Sequence, residues 1–290
     1  MSQIRKGIIL AGGSGTRLRP LTDSVCKQLL PVYDKPLIHY PLSTLMILGI
    51  REILIISTPK DLPMLESVLG DGSRLGISIE YKDQKEPRGL PEAFLVGEDF
   101  INGESVCMIL GDNILHWGHL KMLWTECMAL TEGAYIVGIH HNDPELFGVI
   151  ECDENQNVLS LEEKPKVPKS NIVAIGLYFF DRRVVEYTKM LKPSARGELE
   201  IVDLSNIYLR QRQLSAKFLS RGVTWFDAGT FDSLLDASNL VNIVEKHQGL
   251  KIGCIEEASF NLGYIDEEQL LSNADRYANS AYGLYLRSLV

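Results

Sequence analysis

Lys6 to Ala11 reads KGIILA, a continuous apolar run that ends abruptly in Gly12-Gly13-Ser14-Gly15. An apolar run without polar alternation fits a strand covered on both faces, the condition of strands in parallel sheets flanked by helices. The glycines then open a loop at the strand's carboxyl end, where bare backbone amides can approach an anion. Residues 36–48 have helical spacing with Pro36 at the start, Gly49 interrupts them, and Ile53 to Ile56 form the next apolar run. Residues 61–69 and 92–100 read as helices, and residues 77–81 and 106–110 as strands. This alternation predicts an α/β fold with a Rossmann-like, mostly parallel sheet flanked by helices, and it places ligands at the carboxyl ends of the strands. The loops after Ala11 and Leu110 are therefore the first candidates for a site.

Beyond residue 134 the expected strands are 135–139, 148–152, 158–162 and 174–180, a smaller mixed β-region lying over the cleft. From Ser233 the pattern turns helical, through 234–244 and again 267–289, which predicts a C-terminal helical lobe. Aspartate and glutamate number 38 against 29 lysines and arginines, a formal net charge of −9 that, without a basic run, argues against a nucleic-acid partner. Hydrophobic residues make up 45% of the chain but form no run of membrane-spanning length. The first ten residues lack a signal-peptide pattern, so no membrane partner and a cytoplasmic location are expected. Five cysteines without CxxC spacing suggest neither disulfides nor zinc. The histidines show no metal-ligand spacing, and His140-His141 reads as an exposed strand end. Trp117, Tyr282 and Tyr285 read as packing residues.

The glycine loop fits neither common nucleotide motif. It lacks the Gly-Lys-Ser/Thr of a Walker loop, and Leu18 stands where the dinucleotide fingerprint needs glycine. Taken alone it is equally well read as a tight turn. Arg17 and Lys27-Gln28 downstream add one cation capable of bidentate phosphate binding and one mobile point charge, which together suit a triphosphate. Asp112 follows the strand 106–110 and Asp227 follows Trp225-Phe226; on their own both read more simply as turn residues. Glu163-Lys164 alone reads more simply as a solvated ion pair.

Longer motifs change that balance. GGSGTRLRPLT is followed by KQLLPVYDKPLIHYPL, and further on come LGDN at 110–113, EEKP at 162–165, GLYFFD at 176–181, RGELEIVDL at 196–204 and WFDAGTFDSLLDA at 225–237. Across nearly the whole chain these resemble the sugar nucleotidylyltransferases, specifically the glucose-1-phosphate thymidylyltransferases of the dTDP-rhamnose pathway. The resemblance implies transfer of a deoxythymidylyl group from dTTP to glucose 1-phosphate, giving dTDP-glucose and pyrophosphate by magnesium-assisted in-line displacement. UTP or another sugar 1-phosphate is the nearest alternative, and a noncatalytic sugar-nucleotide sensor a more distant one. It implies a homotetramer with a catalytic domain over 1–240, its nucleotide-binding part in 1–133 and its sugar-phosphate part in 134–240, and an oligomerisation or regulatory segment over 241–290.

The resemblance also implies site residues. Arg17, Lys27, Asp112, Lys164 and Asp227 would be catalytic, with Mg2+ on Asp112 and Asp227. The nucleotide would meet Leu10, Ala11, Gly12, Gly13, Ser14, Gly15, Thr16, Arg17, Lys27, Gln28, Gln84, Pro87, Gly89 and Asp112. The sugar phosphate would meet Leu110, Asn113, Phe147, Gly148, Glu163, Lys164, Ala174, Tyr178, Arg196 and Trp225. Both aspartates would be exposed in a polar cleft, so that replacing either cripples catalysis and spares the fold. Arg88, Pro91 and Glu92 depart from the usual base-reading loop, where position 92 is commonly Gln. Phe147, Ala174, Ala228, Phe231 and Asn261 depart from the common residues at their positions, and Asn261 implies altered feedback at a second site.

Overall fold

The computed structural model describes residues 4–13, 15–116 and 121–290. Ser14, Trp117 and His119 lie outside the described residues. The strands are β1 (Lys6–Leu10), β2 (Pro31–Val32), β3 (Lys35–Pro36), β4 (Glu52–Ser57), β5 (Ser78–Asp83), β6 (Val106–Leu110), β7 (Asn113–His116), β8 (Ala134–His140), β9 (Gly148–Cys152), β10 (Val158–Glu163), β11 (Ile172–Phe180), β12 (Leu214–Phe218) and β13 (Thr224–Asp227). The helices are α1 (Leu21–Ser24), α2 (His39–Ile47), α3 (Leu62–Leu69), α4 (Glu92–Val96), α5 (Glu98–Ile101), α6 (Lys121–Met128), α7 (Val184–Lys189), α8 (Ile201–Arg210), α9 (Phe231–Gln248), α10 (Ile255–Asn261), α11 (Glu267–Arg276) and α12 (Ala281–Arg287).

β1 is buried along its whole length and lies parallel to β4 on one side and β6 on the other, with Leu10 opposite Ile56 and Leu110. β5 adds a further parallel strand beyond β4. This is the sheet that the apolar runs predict. Successive residues of each strand serve opposite faces: Ile9, Ile53, Ile55, Cys107 and Ile109 join one apolar core, while Ile8, Leu10, Leu54, Ile56 and Met108 join another. Burying each such side chain contributes about 1.5–3 kcal/mol. The strands after residue 134 extend this same sheet. β11 pairs antiparallel with β6 and β9 along one edge and with β8 along the other, and β12 lies parallel to β8. What stands apart is the two-stranded ribbon of β7 and β13.

Several boundaries differ from the sequence pattern. The helix expected from residue 36 begins at His39, because Lys35-Pro36 folds back onto Pro31-Val32 as a hairpin around Tyr33, whose φ is 58°. The helix expected over 92–100 divides at Gly97, where a Cβ would meet the Ala93 carbonyl oxygen and the Leu54 side chain, each at 3.0 Å. The one expected over 267–289 divides into α11 and α12, the second capped by Ser280, which accepts from the Gly283 amide at 3.1 Å. α9 runs unbroken through residues 240 and 241, where a boundary is expected. Its Ala237 and Val241 pack with Tyr40, Ile114 and Ala228, so the helix backs directly onto β7 and β13. No helix among the described residues is long and apolar enough to cross a membrane.

Candidate active site

Asp112 and Asp227 are brought together by the β7–β13 ribbon. Asp227 pairs in register with Asn113, and the Ala228 amide donates to the Asp112 carbonyl at 3.0 Å. Asp112 also follows Gly111, where a Cβ would lie 3.1 Å from the Leu10 carbonyl oxygen, so the end of β6 is pressed against the end of β1. The carboxylate of Asp112 is held from two sides. Lys27 Nζ lies 2.5 Å from Oδ2, and Asn113 Nδ2 donates to Oδ1 at 3.1 Å. Asn113 Oδ1 in turn accepts from the Gly176 amide at 3.1 Å and from Trp225 Nε1 at 2.6 Å, so one buried side chain ties together β7, β11 and β13.

The two carboxyls differ electrostatically. Burial by itself would raise the pKa of Asp112, but the adjoining Lys27 ammonium and the Asn113 amide hold it below the ordinary carboxylate value. Burial and the neighbouring Asp112 charge push Asp227 up to about 6, against the opposing pull of Lys27 and Arg17. Both residues are half-buried, which corrects the expectation that they are exposed. Arg17 completes the group. A Cβ on Gly229 would fall 2.8 Å from Arg17 Nη2 and 3.0 Å from Asp227 Oδ1, so the bare glycine leaves room for both. Among the described residues no three His, Cys, Asp or Glu side chains cluster as metal ligands. Two carboxylates, with phosphate oxygens and water filling the other positions, are a donor set that fits Mg2+.

The glycine loop lies beside these groups. Gly15 needs its left-handed φ of 61°, and Thr22 Oγ1 donates to its carbonyl at 2.8 Å. Gly12 is required by crowding, since a Cβ there would lie 2.7 Å from Gln84 Oε1; Gly13 faces open space. Leu10 and Ala11 are buried, and Ser57 Oγ donates to the Ala11 carbonyl at 2.9 Å, while Thr16 and Arg17 are exposed. Lys27 is not left as a solvent-facing cation awaiting phosphate but is buried against Asp112. Gln28 is buried too, and its Oε1 accepts from the Cys26 thiol at 3.1 Å. Gln84 sits at the end of β5 and donates through Nε2 to Glu92 Oε2 at 2.6 Å. Pro87 is exposed, and Gly89, at a φ of 102°, forms an isolated bridge with Leu199 that no Cβ would permit.

A second cluster lies at the end of β10. Glu163 Oε1 lies 3.6 Å from both Lys164 Nζ and Arg196 Nη2. Burial raises the Glu163 pKa, and these two cations pull it back. Arg196 is bound more closely to Glu200, at 2.7 Å. Lys164 adopts a φ of 45°, and its amide donates to the Phe147 carbonyl at 3.0 Å. A Cβ on Gly148 would lie 3.5 Å from Glu163 Oε2 and 3.8 Å from the Ala174 Cβ, which opens space beside the carboxylate. Gly176 is pinned by Leu110 and Asn113, 2.6 Å and 2.9 Å from where its Cβ would be. Tyr178 is buried beneath, stacked on Phe180. The Phe147 and Trp225 rings meet edge to face at 5.2 Å. A continuous path thus runs from Asp112 through Asn113, Trp225 and Phe147 to Lys164.

Two participants escape the sequence pattern. His141 reads as a strand end, yet its ring packs on Phe147 at 4.8 Å and on Trp225 at 6.1 Å. Gly229 reads only as a turn. What places each of them is a contact with a residue far along the chain, Trp225 for His141 and Arg17 for Gly229.

An α/β sheet whose first loop is rich in glycine, with paired carboxylates and cations at the carboxyl ends of its strands, defines an enzyme acting on phosphorylated substrates. The chain belongs to the nucleotidyl transferase family, whose model matches residues 6–243. It is 50% identical over 285 residues to the glucose-1-phosphate thymidylyltransferase of Neisseria gonorrhoeae, covering 98% of this chain and 99% of that one. It is 48% identical over 285 residues to the enzyme of the same name from Mycobacterium tuberculosis strain H37Rv, covering 98% and 99%. A Bacillus anthracis crystal structure described as a glucose-1-phosphate thymidylyltransferase in complex with a sucrose has a TM-score of 0.75 and 40% identity, covering 81% of this chain and 94% of that one. A UDP-glucose pyrophosphorylase structure complexed with UDP-glucose has a TM-score of 0.71 at 24% identity, covering 83% and 99%, and shows the fold alone.

Proposed function

We propose that this chain is a glucose-1-phosphate thymidylyltransferase, transferring a deoxythymidylyl group from dTTP to glucose 1-phosphate with release of pyrophosphate. One observation carries the reading. The Arg17–Lys27–Asp112–Asp227 group is linked through Asn113, Trp225 and Phe147 to Lys164 of the Glu163–Lys164–Arg196 group, in a chain half identical to enzymes of that name.

The sugar phosphate oxygen attacks the α-phosphorus; a P–O bond forms there as the bond to the β-phosphate oxygen breaks and pyrophosphate leaves. A phosphate is already anionic at neutral pH, so no side chain need remove a proton, and the chain's task is to align two anions that repel each other. Lys164 and Arg196 would hold the sugar phosphate, with Glu163 accepting from sugar hydroxyls. Arg17 would bind the oxygens of the triphosphate, next to the amides of the glycine loop. Asp112 and Asp227 would hold Mg2+, which supplies positive charge for the phosphate oxygens.

The test is pyrophosphate release with magnesium, crossing dTTP and UTP against the 1-phosphates of glucose, galactose and mannose. The pair dTTP and glucose 1-phosphate should be fastest, and Lys164→Ala should raise the KM for the sugar phosphate roughly tenfold or more by removing a charge-assisted contact. No release from any pair would sink the reading.

We also read the protein as a homo-oligomer, and a tetramer in particular. Phe231, Leu235 and Ile243 stand 47%, 59% and 56% exposed along one face of α9. Asp232 and Asp236 lie toward its start and Lys246 and His247 toward its end, so a second copy packed antiparallel about a two-fold axis would set acids against bases. Light scattering should give a tetramer, with smaller species for Leu235→Glu. A monomeric wild-type protein would contradict this.

A further inference from the structure

We infer that Glu92 fixes the orientation of the Gln84 side-chain amide and thereby selects the pyrimidine that the site accepts. The inference rests on the thymidylyltransferase reading, which puts the base beside Gln84. Gln84 is 5% exposed, and its backbone amide donates to the Ser57 carbonyl at 2.8 Å, so the residue is fixed at the strand end. Its side chain lies against the glycine loop, with Oε1 placed 2.7 Å from where a Gly12 Cβ would be. Its Nε2 donates to Glu92 Oε2 at 2.6 Å.

An ionised carboxylate only accepts hydrogen bonds. The amide nitrogen of Gln84 must therefore face Glu92, and the carbonyl oxygen must face Gly12. Glu92 is itself fixed in the first turn of α4: the Arg88 amide donates to Oε2 at 3.3 Å, Arg88 Nε lies 3.9 Å from Oε1, and the side chain is 16% exposed. Arg88 is shared with Glu86, at 2.9 Å. The loop thus presents to the base an acceptor, Oε1, beside the second N–H of the same amide. Thymine and uracil match it, with an N–H at ring position 3 and a carbonyl at position 4. Cytosine mismatches twice, since its bare ring nitrogen would meet Oε1 and its amino group would meet the N–H. Were the amide free to turn over, the mismatch would be relieved at little cost.

Three substitutions test this, each read by Kd for dTTP and dCTP with magnesium and by kcat/KM with glucose 1-phosphate. Glu92→Ala frees the amide and should narrow the dTTP-to-dCTP preference roughly tenfold, mainly through KM. Glu92→Lys offers only donors, should turn the amide over and should narrow the preference further. Glu92→Gln retains an acceptor and should keep most of the wild-type preference. A folded Glu92→Ala protein with the wild-type ratio would overturn the inference, as would a wild-type protein that binds dTTP and dCTP equally. Wild-type protein that binds dTTP preferentially but releases no pyrophosphate would instead defeat the proposed reaction and leave the binding ratios to judge Glu92.

Discussion

Asp227→Asn is expected to cut turnover sharply and, in the same protein, to raise the melting temperature. The activity loss should be on the order of 10³-fold, because the carboxylate sits where phosphate charge must be balanced. The stability gain follows from the pKa pushed up to about 6: at neutral pH the ligand-free protein keeps a half-buried charge beside the Asp112 carboxylate that it would hold more easily protonated. A group raised in the folded state stabilises fully below its unfolded pKa, and that contribution is lost as pH rises through the folded value. The Asp227 contribution is therefore lost between about pH 4 and pH 6, and asparagine should restore about 1–2 kcal/mol at pH 7, a few degrees in Tm. Asp112→Asn should be as inactive but shift Tm the other way, since it strips Lys27 of the counter-charge at 2.5 Å and costs about 2 kcal/mol. Scanning calorimetry of the two variants without substrate reads the signs, and shifts in the same direction would refute this account of the pair.

Glu256→Ala should give the largest loss of stability. Its side chain is fully buried and accepts from Arg74 Nη1 at 2.7 Å, Tyr277 at 2.8 Å and Tyr282 at 2.7 Å. Through those bonds it fastens α10 to the turn before β5 and to α11 and α12. Removing it leaves the largely buried Arg74 without its counter-charge, at a cost of about 3 kcal/mol, and should expose the amides of residues 255–290 to exchange before the rest of the chain. His39 lies in the same place: burial pushes its pKa down to about 4, against the pull of Glu256, and its Nδ1 has no partner among the described residues. A histidine lowered in the folded state makes stability fall as pH drops from its unfolded value, near 6.5, toward 4. Burial alone would raise Glu256, but His39 and Arg74 hold it below the ordinary value, so it too loses its contribution as pH falls. This acid sensitivity opposes that of Asp227, so it should be seen most cleanly in the Asp227→Asn background, where His39→Phe should flatten it. An unchanged pH profile on adding His39→Phe would exclude the histidine as its source.

Legibility in the sequence followed the range of the interactions. The strands 106–110 and 148–152 agree residue for residue, because a buried strand needs an unbroken or alternating apolar pattern that a few neighbouring residues express. β7 has no such signal, since its four residues pair with Thr224–Asp227, far along the chain, and carry no pattern of their own. Tyr282 reads as packing, yet its hydroxyl also serves Glu256, a bond made across 26 residues.

The candidate site divides along the same line. Apolar periodicity determines the parallel sheet, because it acts between near neighbours, while Gly12, Arg17, Asp112, Glu163, Lys164 and Asp227 are singled out by motifs that resemble those of a known family. The tertiary structure decided the rest: that Lys27 faces Asp112, that Asp227 rather than Asp112 has its pKa raised, and that Glu92 turns the Gln84 amide. Those outcomes depend on separations of a few ångströms between residues far apart in the chain, and on how much water is excluded there, since Coulomb interaction and desolvation are set by distance in space.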